Sequence, residues 1–173
     1  MNRVVSIRNA HPRLRVPRAA VRKAVAVLDS HAGAFLGGCP AGELSLVFLT
    51  DPALAQIHAD FMDDPTPTDV ITFEGARPPG GSDPDDGSAG EICVSADTAA
   101  RFVGLAASPS RRRRGGLQAA FGRELTLYLV HGWLHLAGYD DRKPVKKRQM
   151  RAAEKQAMDL LRLAGAVPDF TLA

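Results

Sequence analysis

The chain has 173 residues, 45% of them apolar, with 22 Lys and Arg against 19 Asp and Glu, which suits one domain with a proper core. Residues 1–17 hold no unbroken apolar run of the kind a secretion signal needs, and the apolar stretch ending at His131 is too short and too polar to span a bilayer. A cytoplasmic protein is therefore expected, neither secreted nor membrane-spanning.

The net charge of +3 is unevenly spread: seven Lys and Arg against two Asp and Glu in residues 1–50, one against eleven in 51–100, and fourteen against six in 101–173. Cys39 and Cys93 lack CxxC spacing and read as free thiols, Cys93 inside a strand.

In chain order, Val4 to Ile7 alternates as a short strand does, and a His-Pro loop follows. Val16 to Ala32 is an amphipathic helix with Pro17 in its first turn and Val21, Ala24, Val25 and Leu28 inward. Gly33 to Gly42 is a connection, and Leu44 to Leu49 is a central strand. Thr50 or Asp51 caps a helix from Pro52 to Phe61 that turns Leu54, Ile57 and Phe61 inward and leaves His58 on the surface. Asp63 to Thr68 is a loop and Val70 to Phe73 a strand. Gly75 to Ala89 is a polar surface loop whose Asp83, Asp85 and Asp86 match no calcium loop.

Glu91 to Val94 reads as the last strand, Ser95 caps a helix to about Val103, and Arg111 to Arg114 fall in the loop beyond it. Leu117 to Ala137 is the long central helix, buried through Phe121, Leu125, Leu127, Leu129, Val130 and Leu134. Lys143 to Ala164 closes the chain with Met150, Ala153, Ala157, Leu160 and Leu161 inward. Three strands close together in sequence, mixed with helices, indicate one α+β domain over residues 1–173: a roughly four-stranded mixed sheet packed with about five helices.

At the C-terminal end of the central helix stands His131-Gly-Trp-Leu-His135-Leu-Ala-Gly138-Tyr-Asp140-Asp141. Histidines four apart project from one helical face, where two imidazoles can share one ion. Gly138 can take the left-handed conformation that ends a helix, and Asp141 on the returning chain is the natural third ligand. The pattern HxxxHxxGxxD has the spacing of the metzincin zinc site, with Gly132 where the peptidase base stands and Asp141 where the third His stands. One divalent ion, zinc, is expected on His131, His135 and Asp141.

The same stretch resembles the HGxLHLxGYDH signature of the YbeY family, bacterial metal-dependent endoribonucleases of rRNA maturation and ribosome quality control. Pro67-Thr68-Asp69-Val70-Ile71-Thr72-Phe73 is similar to that family's PTDVLSF, and Gly90-Glu91-Ile92 with Ser95, Asp97 and Thr98 to its GDIxxSxDT. The likeness runs from about Glu43 to Leu161. It implies an enzyme that cuts single-stranded RNA, with ribosomal RNA and the small ribosomal subunit as partners. It also implies an Arg at the position of Met62 and a His at that of Asp141, the two places where this chain departs.

Three protein ligands leave a fourth position for water, the mark of a catalytic site, and such a water would be the attacking group on a phosphodiester. A carboxylate ligand makes the ion less electrophilic than a third imidazole would. The general base is unassigned, with Glu91 and Asp69 in the matched motifs as candidates. Phosphates would be met by Arg111, Arg112, Arg113 and Arg114, with Lys146, Lys147, Arg148 and Arg151 behind them, unless these are only a solvated loop and helix face. Two rivals stand beside this reading: a ribosome-associated or RNA-binding protein in which zinc only fixes the turn, and a metzincin-like peptidase, for which Gly132 supplies no base. The oligomeric state is left open.

Overall fold

In chain order the elements are β1 (Val5–Asn9), β2 (Leu14–Arg15), α1 (Arg18–Ser30), a 3-10 turn (Ala32–Ala34), β3 (Glu43–Leu49), α2 (Asp51–Met62), β4 (Val70–Glu74), β5 (Ser88–Ser95), α3 (Ala96–Phe102), α4 (Arg111–Leu136), α5 (Pro144–Leu163) and β6 (Thr171–Leu172). The computed structural model describes residues 3–64, 66–76, 87–105 and 111–173, with backbone alone at 111–114.

The sheet has the order β1-β3-β5-β4, with β1, β3 and β5 parallel and β4 antiparallel along the edge of β5. Side chains alternate between its faces. Leu44, Leu46, Phe48, Ile92 and Val94 belong to the large core that α1, α4 and α5 complete, while Val47, Leu49, Ile71 and Cys93 form a smaller cluster with Leu54 of α2. The expected α+β architecture, a four-stranded mixed sheet with five helices, is what the chain adopts.

Several boundaries differ from the sequence reading. α4 begins at Arg111, so the arginine run opens the helix instead of lying in a loop, and its side chains fall outside the described residues. Strand β5 is not the last: the two-residue β2 and β6 pair through Leu14 and Leu172, too short to carry any periodicity. Ser88 and Ala89 belong to β5, and 77–86, including Asp83, Asp85 and Asp86, fall outside the described residues. Pro17 caps α1 instead of entering it, and Thr50, whose hydroxyl accepts from the Ala53 amide, caps α2. Phe61 is 71% exposed: α2 covers the small cluster through Leu54, and the Phe61 ring lies edge-on to Phe73 with centroids 5.1 Å apart.

The third matched motif is structural. Ser95 caps α3 by accepting from the Thr98 amide at 3.1 Å. Asp97 accepts from His11 in the β1–β2 connection at 3.1 Å and from the Asp51 amide at 3.0 Å. Asp51 in turn accepts from Ser95, Thr98 and Arg101, locking the start of α2 to α3. On the opposite side Arg3 and Trp133 both bond Asp29, tying the N-terminal segment and α4 to α1.

What sets α4 on the sheet is a pair of glycines. A Cβ on Gly132 would stand 2.5 Å from Ile92 Cγ2 and 3.0 Å from Thr72 Oγ1; one on Gly90 of β5 would stand 2.7 Å from Leu136 Cδ2 and 2.5 Å from the Phe73 carbonyl. Each glycine faces a side chain of the other element, and the missing Cβ lets the helix approach β4 and β5 more closely than a larger residue would allow.

Gly132→Ala gains about 1 kcal/mol of helix propensity but adds an overpacking cost of about 1–3 kcal/mol. A net loss is expected, seen as a lower urea midpoint at unchanged slope; a raised midpoint would mean that the helix is not held at contact distance. Asp51 titrates below the usual carboxylate range: burial pushes it up, but hydrogen bonds from Ser95, Thr98 and Arg101 outweigh burial. Such a group contributes stability above the ordinary carboxylate value and loses it as pH falls through its folded value. Urea midpoints should therefore drop below about pH 4, and Asp51→Asn should flatten that drop while lowering the midpoint at pH 7.

Candidate metal centre

His131 and His135 lie on the last two turns of α4, half-buried, with ring centroids 4.5 Å apart. The helix stops where Gly138 takes φ 100°. The Gly138 amide bonds the His135 carbonyl and the Tyr139 amide bonds the Leu134 carbonyl, both at 3.0 Å, which is a Schellman ending. That turn does two things for the site. It places the Tyr139 carbonyl 3.0 Å from His135 Nδ1, and it returns the chain so that Asp141 faces the rings, Oδ2 lying 3.9 Å from His131 Nε2 and Oδ1 4.0 Å from His135 Nε2. One ligand atom from each of the three residues falls within 4.8 Å of the others, close enough for the group to hold a metal ion.

The imidazole chemistry fits a cation there. A carbonyl oxygen only accepts, so His135 Nδ1 carries its proton and the neutral ring has its lone pair on Nε2. His131 Nδ1 lies 2.6 Å from Glu154 Oε1 on α5, and a carboxylate likewise only accepts. Both Nε2 atoms therefore present lone pairs to one another at 2.8 Å, tolerable only with a proton or a metal ion between them. Of the two rings, His131 takes up such a proton more readily. Burial disfavours its charged form, but the Glu154 carboxylate, with Asp141 and Asp69 behind it, outweighs burial and raises its pKa. His135 is pushed down by burial and by the charge of His131. A metal ion binding there displaces that proton, so affinity falls as pH drops.

The pair opens into a cleft of about 590 Å³ between α4, the following turn, β4 and the end of α2. Asp69, Glu74, Asp140 and Asp141 line it, with Arg142 as the basic side chain. Asp140 points away from the rings: it accepts from the Arg142 amide at 3.0 Å and from Lys146 at 3.1 Å, which lower its pKa together and hold the turn.

Other sequence candidates divide. Asp69 stands in the cleft wall, its carboxylate also accepting from the Val70 amide at 2.9 Å. Glu91 does not reach the cleft. It lies on the β5 face turned from α4, where it accepts from Ser45 at 2.8 Å and, with burial, pushes the Cys93 thiol up to about 12. Met62, at the position where the resemblance implied an Arg, is in the cleft wall itself. His58, read as a surface residue, is half-buried there, bonded to the Thr66 carbonyl at 2.9 Å. Gly132, the metzincin base position, faces Ile92 and not the rings. The residue that sequence reading missed is Glu154. Its signal was position: it follows Met150 by four and precedes Ala157 by three, which puts a carboxylate on the inward stripe of α5.

Against a chelator of micromolar affinity, His131→Ala, His135→Ala and Asp141→Ala are expected to lose a bound divalent ion, while Asp140→Ala keeps it with affinity about ten- to a hundredfold lower. Retention by Asp141→Ala together with loss by Asp140→Ala would reverse the assignment of the third ligand.

Comparison with known proteins gives the family. The family model described as endoribonuclease YbeY matches residues 6–162. The endoribonuclease YbeY of Chlamydia felis is 36% identical over 120 residues, covering 69% of this chain and 70% of that protein. That of Anaeromyxobacter dehalogenans is 37% identical over 142 residues, covering 81% of this chain and 64% of that one. The solution structure of TM1509 from Thermotoga maritima shares the fold with a TM-score of 0.52 at 20% identity, over 91% of this chain and 89% of that one. With its signature residues gathered at one cleft and its relatives matched across most of its length, the chain belongs to the endoribonuclease YbeY family.

Proposed function

We propose that the protein is a metal-dependent endoribonuclease that cuts single-stranded RNA, acting as one domain over residues 1–173 in ribosomal RNA maturation and ribosome quality control. The small ribosomal subunit would be its partner and the cytoplasm its place of action; no helix among the described residues is long and apolar enough to cross a membrane. The observation that carries the reading is the two Nε2 lone pairs facing each other at 2.8 Å, with Asp141 beside them, at the side of an open cleft.

His131, His135 and Asp141 would hold the ion, and two imidazoles with one carboxylate suit zinc. Bound there, zinc supplies Lewis acidity toward a phosphoryl oxygen and makes water a nucleophile near neutral pH. The rest falls to the chain. The cleft is acidic, so RNA phosphates are repelled from it unless a cation offsets Asp69, Glu74, Asp140 and Asp141. Substrate entry and metal loading are thereby linked. Of the two candidate bases, Asp69 lines the cleft and Glu91 does not, so Asp69 would be the carboxylate that takes a proton from the attacking water. Arg111, Arg112, Arg113 and Arg114 at the start of α4 would add phosphate affinity from outside the cleft. A peptidase reading loses its support at Gly132, where any larger side chain would strike Ile92 before it could act as a base.

Purified protein should carry about one zinc per chain and cleave a single-stranded RNA but not casein. Cleavage should stop with chelator, return with zinc, and be absent in folded His131→Ala. Asp69→Asn should lower kcat by about 10²–10⁴ with metal content unchanged. Tight RNA binding without any turnover in the zinc-loaded protein would mean that the metal only fixes the turn.

A further inference from the structure

We propose that Glu154 is a positioning residue of the metal centre: by accepting the Nδ1 proton of His131 it fixes that ring's tautomer, aims Nε2 at the shared ligand point and strengthens its donation to a cation. This rests on the reading of His131, His135 and Asp141 as a metal site.

The contact is short, 2.6 Å, at the short side of what a nitrogen donor makes to a carboxylate. Glu154 is 18% exposed and His131 20%, so solvent screens the pair little. Glu154 bonds no other ion-pair partner among the described residues. Its neighbours along α5 divide in a telling way. Met150, Ala153 and Ala157 pack into the core, whereas Lys146, Lys147, Arg148, Arg151 and Lys155 face solvent. A carboxylate on the inner stripe loses hydration that an outer position would keep, a loss tolerable only against a strong donor.

The two histidines are oriented by unlike means. His135 is held by the Tyr139 carbonyl, a backbone group that the helix ending fixes and no side-chain change removes. His131 is held by a side chain from a different helix. Of the two orienting contacts, only the second can be tuned by substitution, and it carries a full negative charge. An acceptor of this kind at the outer nitrogen fixes a metal-ligating ring and raises its basicity. A plain α4–α5 strut would need no such geometry, since a Lys or Arg at position 131 would pair with Glu154 without facing His135.

The test compares wild type, Glu154→Gln and Glu154→Ala. Zinc affinity is read by chelator competition, the His131 ring by ¹⁵N shifts of the ion-free protein, and folding by thermal unfolding without metal. Glu154→Gln is isosteric and can still accept through its amide oxygen, so it should fold and bind zinc about tenfold more weakly. Glu154→Ala should bind about ten- to a hundredfold more weakly, and above the pH at which His131 gives up its second proton its ¹⁵N signals should leave the Nδ1–H tautomer that wild type shows there. Wild-type zinc affinity in both variants, with only the melting temperature lowered, would make Glu154 a packing strut and overturn the inference while leaving the metal site intact. If Glu154→Ala does not fold, Glu154→Gln decides. A wild-type chain that takes up no zinc would instead sink the metal reading, and this inference with it.

Discussion

The close approach of α4 to the sheet is the constraint on which the rest depends. Gly132 makes room for the side chains of Ile92 and Thr72, and Gly90 for that of Leu136, so a single layer of side chains lies between helix and sheet at these points. With the helix drawn in at these two points, β4 becomes a wall beside its last two turns. The space between them is the cleft that His131, His135, Asp69 and Thr72 share. A helix one side chain further out would leave the same residues on a convex surface.

The second constraint is economy at the helix end. One glycine in a left-handed conformation satisfies the last carbonyls, supplies the acceptor that orients His135, and swings Asp141 toward the rings. Asp140, next to it, is turned outward to Lys146 and Arg142 and steadies the loop. Adjacent carboxylates thus do different work because the turn points them in different directions.

Much of this was legible from residue spacing. The i, i+4 histidines, the stop at Gly138 and the carboxylate ten residues after His131 are local features, and local geometry follows from local sequence. The central strands were legible because buried parallel strands are nearly continuous apolar runs. Features that depend on distant partners were not. Gly132 read as a missing base, and only its neighbour Ile92, forty residues away, shows it to be a packing point. Glu91 and Asp69 looked equivalent in matched motifs until strand alternation put Glu91 on the face turned from α4. Glu154 was hidden among charges on a helix whose outer face is strongly basic. Phe61 fitted a helical stripe, yet it lies only edge-on to Phe73 of the edge strand and stays 71% exposed.

The arrangement of α4 and α5 has a consequence for how the protein is born. His131 and His135 leave the ribosome ahead of Glu154, and α5 can dock on α4 only after its inner stripe has been made. A nascent chain can therefore collect both imidazoles on one helical turn while the carboxylate that holds one of them is still inside the exit tunnel. The carboxylate that bonds His131 is thus made after both imidazoles, so a chain stalled or truncated before α5 would lack it.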